Sequence, residues 1–398
     1  MTGLLSPGLH RAAGVADDAS VVAAMLRVEV AWLRALANVG AVDDEDAEAV
    51  ARAAETWQVD IAALIAATED AGNPVVPLVA GLREVVGERL GDVVHRGLTS
   101  QDVLDTALVL LSRDALARTR GDLVATAQGL ATLAEQHRAS LMVGHTLTQY
   151  AVPVTFGLKA AQWLSGVCDA LDRVDHALGR LPVQCGGAAG TLSLVAETTD
   201  PVAAAAAFAE ELGLRWPGVP WHTNRAPMTG VGDALVATTD ALGVLASDVA
   251  LLSRPEIGEV REGHVAGRGG SSTMPHKQNP VLAVLVRAAS LQTPQLLAQL
   301  HLAAAQAVDE RPDGAWHSEW PALRRLLDLT VAAASQTAEL VSLLEVDTAA
   351  MKARVEAASR ELVAESGKAT VADDYLGAAS QFVDTVLAWL PRESNGHA

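Results

Sequence analysis

The sequence predicts an all-α protein built around a bundle of long helices, and three observations predict it. Half of the 398 residues are apolar while only 3% are aromatic, and alanine and leucine, both strong helix formers, dominate the composition. From Leu235, apolar residues recur at Leu242, Leu245, Val249 and Leu252, the a/d spacing of a bundle helix. Strand-like alternation bounded by turns is scarce. A chain of this length can bury a large core and hold two or three domains.

Residues 1–20, with Pro7, Gly8 and Gly14, read as irregular. A helix is expected over 19–39, where Val22, Met25, Leu26, Val30, Leu33 and Leu36 fall on or near one face and Gly40 stops it. Asp43 and Asp44 open the next helix, expected to run over 47–68. Asn73-Pro74 and Pro77 then mark a turn before a short helix. Thr99 and Asp102 form a capping box ahead of a strong apolar run, so a helix starts there. Gln184 to Ser193 is a glycine-rich break, and a helix over 232–254 follows. Asn279 as N-cap with Pro280 at the first helical position predicts a helix over 280–308, kinked near Pro294. The stretch 309–323 reads as a polar-aromatic turn, followed by a helix over 322–344, an acidic helical stretch after Asp347 and a disordered ESNGHA tail. The expected organisation is an N-terminal helical domain (1–95), a central long-helix bundle (96–345) and a short C-terminal helical segment (346–398).

The formal net charge of −19 argues against nucleic-acid and anionic-membrane partners, so attraction for an anionic substrate has to be local. Cys168 and Cys185 are the only cysteines, with neither C-x-x-C nor zinc spacing, which suits a reducing cytoplasm. No run of 18 apolar residues and no signal-peptide pattern is evident. No metal or organic cofactor is expected.

The stretch richest in chemistry is Gly267 to Pro280, GRGGSSTMPHKQNP. Gly267, Gly269 and Gly270 allow the backbone to bend, Ser271 and Ser272 supply hydroxyls, and His276 and Lys277 supply donors. Such a loop docked on a helix N-terminus suits an anion. It lacks P-loop spacing. The capped helix start at Thr99 likewise presents N–H groups to a carboxylate.

Gly270 to Pro280 match G-S-S-x-M-P-x-K-x-N-P at every fixed position, the signature that this run shares with the fumarase/aspartase superfamily, which it resembles. The segment with Gly97, Thr99, Ser100, Asp102, Asp105 and Thr106 resembles the superfamily's first active-site region, and Gln101 makes its triplet similar to that of 3-carboxy-cis,cis-muconate cycloisomerases. Thr146 and Gln149 resemble the second region's T-x-x-Q pair. The segments at Gly72–Leu78, Val152–Leu164, Gln184–Ser193, Pro220–Arg225 and Asp309–Leu323 also resemble the cycloisomerases.

The resemblance implies a fumarase/aspartase-like fold with an abbreviated C-terminal domain. It also implies a homotetramer whose active sites draw on three subunits, and a small di- or tricarboxylate substrate. It implies Ser271 as the base, with Ser272 beside it. Thr99, Ser100, Gln101, Thr146, Gln149, Lys277 and Asn279 would bind substrate, with His145, Arg268 and His95 as further candidates. Two departures carry information. Many members pair a histidine with a glutamate for proton transfer, and here those positions are Leu147 and Val284. His145 stands at the usual arginine position. A carboxylate, with a pKa of about 4, can leave without being protonated. The expected activity is therefore a 3-carboxy-cis,cis-muconate cycloisomerase. The alternatives are a lyase expelling nitrite or a similar anion from a substituted succinate and, further off, adenylosuccinate lyase or a non-catalytic oligomeric scaffold.

Overall fold

The structure, a computed structural model, describes residues 3–274, 276–364 and 375–390. Pro275 of the signature and the ESNGHA tail lie outside the described residues. A 3-10 turn (Leu9–Ala12) leads into α1 (Asp18–Asn38), whose N-cap Asp17 accepts a hydrogen bond from Ser20 N at 2.9 Å. The helix expected over 47–68 is two helices, α2 (Asp44–Thr56) and α3 (Ile61–Ala71). The chain turns extended at Trp57, and Asp60 caps a fresh start by accepting from Ala63 N at 3.0 Å. α4 (Val75–Val86) follows Asn73-Pro74, with Asn73 Oδ1 accepting from Val75 N at 3.1 Å. Pro77 sits in its first turn, where no N–H is needed. A single turn, α5 (Glu88–Gly91), leads to the long helix α6 (Ser100–Gln136).

α6 packs between α7 (Phe156–Leu178) and α13 (Gly314–Ser342), and α10 (Ala226–Leu252) closes the four-helix bundle against those two neighbours. α1 packs on α6 and on α9 (Pro201–Leu212), which follows the short α8 (Ser193–Ala196). The kink expected at Pro294 is a full break: α11 (Val281–Ser290) ends and α12 (Thr293–Ala304) begins. Proline lacks an N–H and clashes with the carbonyl four residues back, here Ser290, the last residue of α11. α13 starts at Gly314, so most of the stretch expected as a polar-aromatic turn is helix, with Pro321 inside it. Trp316 and Trp320 pack edge to face there at 4.8 Å between centroids.

Among the described residues, two small antiparallel sheets accompany the helices. β1 (Leu141–Thr146) and β2 (Gln149–Thr155) form a hairpin, and β3 (Val260–Glu262) pairs with β4 (Leu344–Val346). α14 (Thr348–Ala357) and α15 (Ser359–Leu362) pack on the hairpin through Val143, Val355, Ala358 and Leu362, and α16 (Ala379–Leu387) packs on α7. One continuous core runs from Leu9 to Val386 and takes side chains from all three stretches delimited above. By length and composition α10 and the 281–304 stretch are apolar enough to cross a membrane, yet α10 is a core element of the bundle.

Candidate active site

The three segments singled out in the sequence are held by different parts of the fold. The first is the entry to α6. The capping box of Thr99 and Asp102 forms, with Asp102 accepting from Thr99 N at 3.0 Å. The same carboxylate also accepts from Gly186 N, Gly187 N and His222 Nε2 at 2.8 to 3.0 Å. It thereby ties the glycine-rich break and the 220–225 turn to the start of α6. Gln101 is wholly buried, and its Nε2 donates to the His222 carbonyl at 2.9 Å. Thr99 and Ser100 stay half-buried. Arg311, on the loop before α13, donates to Thr99 Oγ1 and to the carbonyl of Ala188, the latter at 2.7 Å.

One turn into α6, Asp105 meets the wholly buried Arg225 at 2.6 and 2.9 Å. Arg225 also donates to Glu319 of α13 at 2.7 Å, and Trp316 Nε1 donates to Asp105 at 2.9 Å. Burial pushes Glu319 above the usual carboxylate range, against the opposing pull of Arg225. Burial would lower the pKa of Arg225, but Asp105 and Glu319 overcome it and keep the guanidinium charged. These groups are inward-facing ties between α6, α10 and α13.

Beside the α6 entry lies a cavity of about 300 Å³ lined by Arg83, His95, Arg96, Gly97 and Ser193, with Asp92 the one acidic side chain on its wall. His95 is bonded to Glu29 of α1, Nδ1 to Oε1 at 2.7 Å. Gly97 is required here: its φ is +82°, and a Cβ would lie 2.5 Å from Val195 Cγ2.

The second segment is the hairpin tip. Thr146 and Gln149 face each other as the last paired residues, joined by Leu147 (φ +48°) and Thr148 (φ +71°). Two positive φ values between paired strands make a type I′ turn. Thr146, Gln149 and His145 are exposed, and His145 stacks edge-on against Tyr150 at 5.3 Å. Leu147, at the position of the absent histidine, is 96% exposed. Gly144 lies at a bulge in the hairpin, where a Cβ would come within 2.5 Å of the Val152 carbonyl oxygen.

The third segment is the signature loop, between β3 and α11. Asn279 is not the N-cap: Pro280 holds that position, and Asn279 folds back, its N and Nδ2 both donating to Gly269 O at 2.8 and 2.9 Å. The helix N-terminus expected to receive an anion is already filled from within the chain. Glu262 of β3 accepts from Leu282 N at 3.0 Å and from Ala283 N at 3.4 Å. Arg268 pairs with Glu339 of α13, which also holds Arg11. Beyond this closed base, Ser272, His276 and Lys277 are exposed. Ser271 Oγ accepts from Met274 N at 3.2 Å and from Thr273 N at 3.4 Å. Donors on the oxygen favour its deprotonated form. They come from the backbone two and three residues after the serine.

Among the described residues no hydrogen bond joins one segment to another, and the cavity at the first has no wall residue from the other two. Sequence reasoning passed over Glu29, Arg83, Arg96 and Arg311. For Glu29 a signal existed: it is the one charged residue in the apolar stripe Val22, Met25, Leu26, Leu33, Leu36, and no helix pays for a charge there without a partner. The arginines gave none, since their neighbours lie far off in sequence.

A protein-family model described as "Lyase" matches residues 13–294. The chain is 45% identical over 376 residues to a nitrosuccinate lyase of Streptomyces davaonensis, covering 92% of this chain and 79% of that protein. It is 38% identical over 371 residues to a 3-carboxy-cis,cis-muconate cycloisomerase of Bradyrhizobium diazoefficiens, covering 91% and 81%. The crystal structure of a 3-carboxy-cis,cis-muconate lactonizing enzyme from Pseudomonas putida matches with a TM-score of 0.81 at 32% identity, over 93% of this chain and 94% of that one.

Proposed function

The chain belongs to the lyase family of the fumarase/aspartase superfamily, and from that premise we propose that it expels a weakly basic anion from a substituted succinate, nitrosuccinate being the first substrate to test. The observation that carries this reading is the pairing of an intact serine loop with Leu147 and Val284, two exposed apolar side chains where a proton-transfer pair would stand. A group that leaves as a stable anion does not need a general acid. The identity to a nitrosuccinate lyase over 92% of the chain supports the choice of nitrite.

In the proposed reaction Ser271 Oγ takes a proton from the carbon beside one carboxylate. The C–H electron pair becomes the new C=C bond, the C–N bond breaks, and nitrite departs with its electrons, leaving an unsaturated dicarboxylate. The negative charge that builds on the carboxylate meets fixed donors. Lys277 suits that task, since no ion pair holds it among the described residues. Thr99 and Ser100 on one side, and Thr146 and Gln149 on another, would hold the second carboxylate. Because the three segments are separate in one chain, the reading requires other copies of the chain to complete each site, with closure of the loop excluding water.

The cycloisomerase reading remains as the second. The 38% identity to a cycloisomerase and the structural match favour it, and its leaving group, a carboxylate, is equally undemanding. One experiment separates them: nitrite release from nitrosuccinate and ultraviolet loss of the diene of 3-carboxy-cis,cis-muconate, each with wild type and Ser271→Ala. Nitrite release that falls about 10²- to 10⁴-fold in the variant is the expected result. Diene loss without nitrite release moves the assignment to the cycloisomerase. Neither reaction, or a variant as active as wild type, defeats the serine-base elimination.

A further inference from the structure

Glu29 is a carboxylate in a place where charge is costly. It is 0% exposed on the inner face of α1, its Oε1 meets His95 Nδ1 at 2.7 Å, and its Oε2 has no hydrogen-bond partner among the described residues. A buried carboxylate charge is costly unless its contact carries the opposite charge. His95 meanwhile holds a backbone φ of +61°, a region that non-glycine residues rarely enter and that clusters at functional sites. The strain sets the ring where its Nδ1 reaches Glu29 while the residue still lines the cavity beside Thr99. Nε2 is left for a ligand. The cavity wall adds Arg83 and Arg96 against Asp92 alone, a local excess of positive charge in a chain of net charge −19.

We propose that Glu29 is a positioning residue: through His95 it fixes an imidazolium at the α6 entry, and that cation, with Arg83 and Arg96, receives a carboxylate of the dicarboxylate substrate. The inference rests on the elimination reading for its substrate class. It gives the site the fixed cation that His145, out on the hairpin, does not supply to this wall.

The charged groups around His95 agree. Burial by itself would lower its pKa. Glu29, by charge and hydrogen bond, together with Asp102 of α6 outweighs burial and the opposing Arg83 of α4, and the pKa ends raised. The imidazolium is therefore kept as pH rises through the ordinary histidine range and is lost only as pH passes the raised value. Anion binding should follow the same course.

The test uses fumarate as an unreactive dicarboxylate probe, with binding measured by calorimetry across the neutral range on wild type, Glu29→Gln, His95→Gln and the double variant, each as the folded oligomer. Wild type should lose affinity as pH rises through the raised pKa. Glu29→Gln should bind about tenfold more weakly near neutrality, with the loss displaced to lower pH. His95→Gln should be as weak and lack that pH dependence, and the double variant should be no worse than either single one. Additive losses, a Glu29→Gln profile that overlays wild type, or no fumarate binding by wild type would each overturn the proposal. If Glu29→Gln does not fold, His95→Gln decides: affinity and pH dependence equal to wild type overturn it. The readout is separate from turnover, so fumarate binding with the expected shifts but no nitrite release would remove the elimination reading and leave the cation site standing.

Discussion

Arg225 shows how much one side chain can hold together. Wholly buried, it binds Asp105 and Glu319 at once, so three helices of the bundle share one guanidinium. Replacing it with Met would leave two carboxylates facing each other in a dry site. The expected cost is about 3–5 kcal/mol, read as a lower urea midpoint, and an unchanged midpoint would show that the network is not a structural tie. The cysteines stand at the opposite extreme. Burial pushes the Cys168 thiol up to about 11 and Cys185 well above its ordinary value, so neither is a thiolate near neutral pH. Ser271, by contrast, has two backbone N–H groups donating to its oxygen, a geometry that supports its proposed role as base.

At the scale of elements, the signature run is a loop with a closed base and an open tip. Gly269 and Asn279 clasp the base, Arg268 anchors it to α13, and Glu262 caps the helix that follows. A Cβ on Gly269, already at φ +74°, would come within 2.7 Å of the Asn279 carbonyl oxygen, so glycine is required for the clasp. This base holds the register of the loop. Asn279→Ala removes one of the two clasp bonds, worth about 1 kcal/mol. The expected result is faster amide exchange confined to the loop, with the melting temperature of the whole protein unchanged. Exchange rates equal to wild type would mean that the side-chain bond is not part of the clasp. The hairpin is the complementary element: its type I′ turn places Thr146 and Gln149 side by side at an exposed tip, although Leu and Thr are poor residues for positive φ.

At the scale of the whole molecule, α10, α12 and the turn between α11 and α12 expose large apolar side chains, among them Val244, Leu302 and Leu291 (71% exposed). Apolar surface gathered on neighbouring helices marks an association face. Together with three separated site segments, it predicts an oligomer in solution. Leu291→Glu with Leu302→Glu should shift the light-scattering mass toward the single chain, and a mass unchanged from wild type would place the interface elsewhere. The all-α class, the long bundle helices, the capping box at Thr99 and the serine loop were legible in the sequence, because periodicity, caps and motifs act within a few residues of one another. The break of α11 at Ser290 was half legible in Pro294, but the two-helix split at Trp57 was not, because the Asp60 cap lies inside a continuous helical pattern. It took the packed chain to reveal that Glu262 fills the α11 N-terminus, that Arg225 sits between two carboxylates, that Arg311 reaches Thr99, and that Glu29 meets His95. Those pairs are separated by tens to hundreds of residues. Which donor reaches which acceptor across such distances is set by how the helices pack, and no local window of sequence carries it.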